Sequence, residues 1–242
     1  QPEPDAVDVL GARAAEVGAR LVAEGVDIGV TARDVAFGGQ QTSVRGLAAE
    51  YEDLFLPLHG THQAQNAAVA IAAVEAFLGG GEQPLDIEVL RAGLATAESP
   101  GRLEIVRRSP TVLVDAAHNP AGAEVLARAI TESFTFARLV GVIAVMKDKD
   151  ALGVLQALEP VLDDVVVTRT TSPRAMPPRR LGELAAEVFG EQRVTVVEEL
   201  PDALDVAAGM ADADGGVSGG VLATGSVVTA AEVRMLLGTT AV

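Results

Sequence analysis

The stretch VLVDAAHNPAGAEVLARAI, Val112–Ile130, decides how the rest of the chain is read. An aliphatic run ends on an acid, Asp115. Two alanines, His118, Asn119 and Pro120 follow, and then apolar residues recur at helical spacing. Proline suits the first position of a helix and asparagine the cap before it, so a strand hands over to a helix here. Capping accounts for Asn119 and Pro120. It does not account for His118, one of three histidines in the chain, placed three residues after a carboxylate.

Outward from this point the same rhythm repeats. Strands are expected at 103–107, 111–114, 138–145, 164–168, 194–197 and 220–224. Helices are expected at 120–133, 150–160, 179–189, 201–211 and 227–237. Near-strict alternation of this kind predicts an α/β fold, a mostly parallel sheet with helices on its faces. Upstream the pattern differs. A helix is expected over 3–24, a short strand at 26–30, a hairpin around Gly38-Gly39 and a strand at 51–58. A helix follows in GTHQAQNAAVAIAAVEAFLGGG, stopped by glycines 79–81, with a shorter one over Asp86–Ala97. The Pro-Gly pair in ESPGR reads as a turn, and a domain boundary is placed near Ser99. The Gly- and Ala-rich stretch 209–220 reads as a loop or a frayed helix end.

Composition narrows the classes. The chain has 242 residues, is 49% hydrophobic and holds no cysteine, so disulfides and thiolate metal sites are excluded and a cytoplasmic location is expected. A net charge of -16 argues against a nucleic-acid partner, which draws on clustered Lys and Arg. No apolar run nears the roughly 18 residues that cross a bilayer, so no membrane partner is expected. The start, QPEPDAVDVL, reads as neither a signal peptide nor a natural beginning, and the sequence is expected to be the later part of a longer chain.

In open parallel sheets, ligands sit outside the carboxyl ends of the strands. Asp115 there suits the two hydroxyls of a ribose, or else caps the next turn. His118, at a helix start, suits an anion. The two lysines of the chain, Lys147 and Lys149, both fall in MKDKD after an apolar strand, where a compact charge can meet a carboxylate or phosphate. Ser226 in TGS either caps the last helix or bonds a ligand. Upstream, His62 and Asn66 share a helical face. With no third ligand in the pattern, metal binding is not expected there, and Asn66 carries the donor and acceptor that an adenine edge needs. Arg102, just past a tight turn at the boundary, suits a phosphate in an interdomain cleft.

The blocks GTHQAQNAAVA, SPGRLEIV, DAAHNPAGA, MKDKD and ATGSVVTAAEVR, in that order, resemble the folylpolyglutamate synthase/dihydrofolate synthase family of the Mur ligase superfamily, well over 56–242 and loosely over 1–55. The resemblance implies residues 1–98 as the later part of the central ATPase domain and 99–242 as a Rossmann-like C-terminal glutamate-ligase domain. It implies an ATP-dependent amide ligase that adds L-glutamate to folates, and possibly to dihydropteroate, through an acyl phosphate. By that resemblance Asn66, Arg102, Asp115 and His118 serve the nucleotide, Lys149 and Ser226 receive the incoming glutamate, and His118 and Lys149 carry the chemistry. Mg²⁺ is implied as a cofactor, with its ligands upstream of this chain. The family's phosphate-binding G-x-x-x-x-G-K-[ST] loop is absent, and no Gly-Lys dipeptide occurs. The missing N-terminal segment is therefore an expected partner, and this chain alone is expected to be inactive. The alternatives are a non-catalytic nucleotide- or amino-acid-binding module and another Mur-type ligase with a non-folate substrate.

Overall fold

The computed structural model describes residues 4–213 and 218–238. It divides into two compact units: Gln1–Pro57 with Thr61–Ala97, and Leu58–Gly60 with Glu98–Val242.

The first unit is a three-stranded antiparallel meander, β1 (Gly29–Ala36), β2 (Gly39–Arg45) and β3 (Glu50–Leu56), in that order. Gly38, at φ 76°, supplies the left-handed residue that the β1–β2 turn needs. The helices are α1 (Pro4–Val17), α2 (Thr61–Gly79) and α3 (Ile87–Ala95). Val44, Tyr51, Leu54, Ala68 and Ile71 form the core, with Ile87 and Leu90 of α3 against it. Two upstream expectations shift. The first helix stops at Val17, where Gly18 turns left-handed, rather than at 24. The expected strand at 26–30 begins only at Gly29, because Ala23–Ile28 is a tight turn in which Asp27 Oδ2 accepts from Ala23 N at 2.8 Å.

The second unit is a six-stranded sheet of β4 (Glu104–Arg108), β5 (Thr111–Val114), β6 (Arg138–Ile143), β7 (Asp164–Arg169), β8 (Val194–Glu199) and β9 (Gly219–Thr224), in the order β4-β5-β9-β6-β7-β8. Only β4 runs antiparallel to its neighbour. The helices are α4 (Pro120–Ser133), α5 (Ala151–Leu158), α6 (Pro178–Phe189), α7 (Leu200–Asp212) and α8 (Val227–Leu236). Side chains alternate between two cores with the period of a strand. Leu113, Ile143, Val167 and Leu222 meet α4, α5 and α6; Val114, Val142, Val166 and Ala223 meet α7 and α8. Burial on both faces is why these strands read as unbroken Val/Leu/Ile runs. Within the stretch 209–220, helix continues to Asp212 and strand resumes at Gly219. The part of that expectation at 214–217 lies outside the described residues.

This topology creates the place for a site. Strand β9 lies between β5 and β6, but its following helix α8 lies on the opposite face from α4 and α5. Connections that leave adjacent strands towards opposite faces open a crevice at the carboxyl edge.

Candidate active site at the carboxyl edge of the parallel sheet

Three loops leave that edge side by side: β5 to α4, β9 to α8 and β6 to α5. Backbone hydrogen bonds join them. Asp115 N donates to Ala223 O (3.0 Å), Gly225 N to Ala117 O (3.1 Å) and Ala144 N to Thr224 O (3.1 Å). Gly225 has φ 105°, and a Cβ there would lie 2.7 Å from Ala144 O, so the β9–β6 approach requires glycine. Helices α4 and α5 begin side by side. A Cβ on Gly153 would stand 2.6 Å from Pro120 Cγ. Their caps are Asn119, whose side chain accepts from Gly122 N, and Asp150, whose side chain accepts from Gly153 N.

Asp115 is buried, and both of its carboxylate oxygens are engaged. Oδ2 accepts from Leu103 N (2.8 Å) and Oδ1 from Ala117 N (2.7 Å). Burial raises its pKa above the usual carboxylate value, opposed by those two amides and by the charge of Arg102. The Leu103 bond holds the turn in which Leu103 takes φ 44° and Arg102 N donates to Ser99 O. Arg102 itself is exposed. One lone pair on each Asp115 oxygen remains for a ligand hydroxyl.

His118 is half-buried, with Nδ1 3.0 Å from Ala116 O. A carbonyl only accepts, so Nδ1 carries the proton and Nε2 of the neutral ring is an acceptor. Lys149 is partly exposed, 3.7 Å from Asp148 Oδ2. Asp148 is also bound by Arg174 at 2.8 Å, and that hydrogen bond, with the nearby positive charges, holds its carboxyl below the usual range. Lys147 donates to Pro173 O (3.1 Å), fastening the β6 loop to the β7 loop.

Ser226 is the cap of α8. Its Oγ accepts from Thr229 N (3.0 Å) and lies 2.7 Å from Thr229 Oγ1, which in turn donates to Ala144 O (2.9 Å). Thr229 has a single hydroxyl proton, so the short contact uses the proton of Ser226. One lone pair on Oγ is left over.

Asn66 belongs to the other unit. It lies on α2 in the first unit, exposed, its Nδ2 donating to Gln63 Oε1 at 3.3 Å. Among the described residues no group of His, Cys, Asp or Glu has the arrangement of a metal site, and no helix is long and apolar enough to cross a membrane. Sequence reasoning missed Leu103, Arg174 and Thr229. Only Thr229 carried a signal: the S-x-x-T spacing places it where a helix cap bonds back.

A doubly wound sheet with a charged carboxyl-edge site is the architecture of several ligand-binding classes, and the family comparison selects one. Residues 101–227 match the family described as Mur ligase, glutamate ligase domain, and the chain belongs to the Mur ligase family. Within it, the chain is 48% identical over 245 residues to the dihydrofolate synthase/folylpolyglutamate synthase of Mycobacterium tuberculosis, covering 97% of this chain and 50% of that protein. A solved structure of Mycobacterium tuberculosis folylpolyglutamate synthase complexed with ADP superposes with a TM-score of 0.93, at 48% identity, over 98% of this chain and 54% of that one. Escherichia coli FolC in complex with DHPP and ADP gives 0.79, at 30% identity, over 96% and 51%. The chain thus spans about half the length of these relatives.

Proposed function

We propose that this chain is the glutamate-accepting part of an ATP-dependent ligase that adds L-glutamate to folates, by way of an acyl phosphate. The observation that carries the reading is the joining of the β5, β9 and β6 loops at one carboxyl edge, bearing His118 and Lys149 on a glutamate ligase domain. The relatives complexed with ADP support the nucleotide, and the dihydrofolate synthase/folylpolyglutamate synthase relatives support a folate substrate.

In this reading the terminal phosphoryl group of ATP passes to a substrate carboxylate, giving an acyl phosphate and ADP. Lys149 receives a carboxylate of the incoming glutamate as a compact, hydrated charge. The ammonium of glutamate must lose a proton before it attacks. In this reading Nε2 of His118, left as an acceptor by the Nδ1–Ala116 bond, takes that proton. The freed amine attacks the acyl carbon and phosphate departs. Arg102 offers positive charge to phosphate oxygens. Asp115 offers its remaining lone pairs to ribose hydroxyls, and the amide of Asn66 is suited to an adenine edge. Ser226 acts by fixing the start of α8.

Among the described residues no group of three or more His, Cys, Asp or Glu is arranged to hold Mg²⁺, so its ligands would come from polypeptide outside this chain. A Gly-Lys phosphate cradle is also absent from the 242 residues, so turnover needs polypeptide beyond this chain. Residues 1–98 are then the later part of an ATPase domain and 99–242 the ligase domain. Incubating the full polypeptide that contains this chain with ATP, L-glutamate and either a reduced folate or dihydropteroate tests the proposal by mass spectrometry. Glutamylated product with matching ADP release is expected. ATP hydrolysis indifferent to glutamate, with no glutamylated product, contradicts it.

A further inference from the structure

One carboxylate at the carboxyl edge lies between two cations. Asp148 Oδ1 accepts from Arg174 Nη2 at 2.8 Å, and Asp148 Oδ2 lies 3.7 Å from Lys149 Nζ. The first contact is a charge-assisted hydrogen bond, and the second is too long for one. Asp148 and Lys149 are neighbours in sequence, whereas Arg174 reaches them from the loop after β7. The more distant residue along the chain thus makes the closer contact.

An exposed ion pair ordinarily contributes little, because two long side chains must be ordered to hold it. Here the backbone has already placed one partner. Lys147 N donates to Arg174 O and Met176 N to Val145 O, both at 2.9 Å, around an antiparallel bridge between Met146 and Ala175. Met146, Ala175 and Met176 are buried. Lys147 Nζ adds its bond to Pro173 O. On its other side the same loop is tied to α8, where Glu232 accepts from Thr171 N at 3.1 Å and from Thr171 Oγ1. Arg174 therefore stands on a loop fastened at both ends.

The consequence concerns Lys149. An open ammonium can receive a substrate carboxylate, whereas one closed on its own neighbour must first give that contact up. We propose that Arg174 is a positioning residue of the glutamate site: by holding Asp148 Oδ1 it keeps that carboxylate from closing on Lys149 and leaves the ammonium open to the incoming glutamate. The role rests on the ligase reading, and Arg174 touches no substrate in it. Without Arg174, Asp148 closes on Lys149 and competes with glutamate.

The test compares Arg174→Ala, Asp148→Asn and the double variant in the full polypeptide that contains this chain. Competition by an internal carboxylate raises the apparent KM for glutamate and spares kcat. A rise of about fivefold or more is expected in Arg174→Ala, with kcat and the apparent KM for ATP changed by less than about twofold. The double variant is expected to return to within about twofold of the parent, because a neutral amide does not compete for the ammonium, and Asp148→Asn alone is expected to show no rise. Acetylation of Lys149, followed by peptide mass spectrometry without substrates, reads the pairing itself. It is expected to slow about threefold or more in Arg174→Ala and to recover in the double variant, since a contacting carboxylate favours the charged, unreactive amine. An unchanged glutamate KM in Arg174→Ala overturns the proposal. So does a rise that Asp148→Asn fails to reverse, which assigns Arg174 to direct substrate contact or to folding of the loop. Equal acetylation in the parent and Arg174→Ala, with parent turnover intact, removes the role of Arg174 alone. No glutamylated product from the parent removes the ligase reading, and this role with it.

Discussion

Asp115 shows how one side chain serves position and chemistry together. Its two bonds to Leu103 N and Ala117 N fix the turn carrying Arg102 and the loop carrying His118. Replacing it with alanine leaves two buried amides without partners, and a loss of about 2–4 kcal/mol in urea unfolding is expected. Its raised pKa gives a pH signature of definite sign. The contribution of the folded-state group is fully present below the ordinary carboxylate range, about pH 4, and is lost as pH rises through the raised folded value. The stability of the parent minus that of Asp115→Asn is therefore expected to fall with pH from about 4 upward. A difference that grows with pH contradicts the burial argument. The position of Asp115 was legible in the sequence because it ends an aliphatic run. Its bond to Leu103 was not, because it joins residues twelve apart in sequence through a turn with no local pattern of its own. Ser226 shows the converse: the sequence allows it as a cap or as a ligand hydroxyl, and only the hydrogen-bond chain through Thr229 to Ala144 O separates a cap from a free hydroxyl.

At the scale of elements, the helix starts beside the site depend on close approach. Gly153 sits inside α5, where glycine lowers helix propensity, yet a Cβ there would press on Pro120 and on Asp150 Oδ2, each at 2.6 Å. Gly153→Ala is expected to destabilise the protein by about 1–3 kcal/mol in urea unfolding, despite its better propensity. A gain in stability contradicts the α4–α5 contact. In the first unit, Glu75 of α2 is fully buried and accepts from Leu47 N, Ala48 N and Tyr51 Oη, while Tyr51 Oη also accepts from Leu85 N. Glu75→Gln turns one acceptor oxygen into a donor facing donors, with an expected cost of about 1–3 kcal/mol. The elements after Val112 were legible because strands buried on both faces and capped helices write strong local patterns. The first strand was misread because Asp27 and Gly25 set a turn whose apolar neighbours, Val26 and Ile28, imitate a strand.

At the scale of the whole molecule, the two units differ in completeness. The second has one sheet with a core on each face. The first has a single small core and keeps most of the exposed large apolar side chains among the described residues. The sequence does not reveal that contrast, since exposed Val69, Val74 and Phe77 are as apolar as their buried neighbours Ala68 and Ile71. Burial depends on which polypeptide is present, and periodicity does not record it.

The central claim is that the carboxyl edge of the second unit receives glutamate. Steady-state titration of glutamate and of ATP in the full polypeptide carrying Lys149→Ala tests it most directly. The account predicts an apparent KM for glutamate raised at least tenfold, an apparent KM for ATP changed by less than about twofold, and partial recovery in Lys149→Arg. Unchanged glutamate kinetics, or equal rises for both substrates, contradict it.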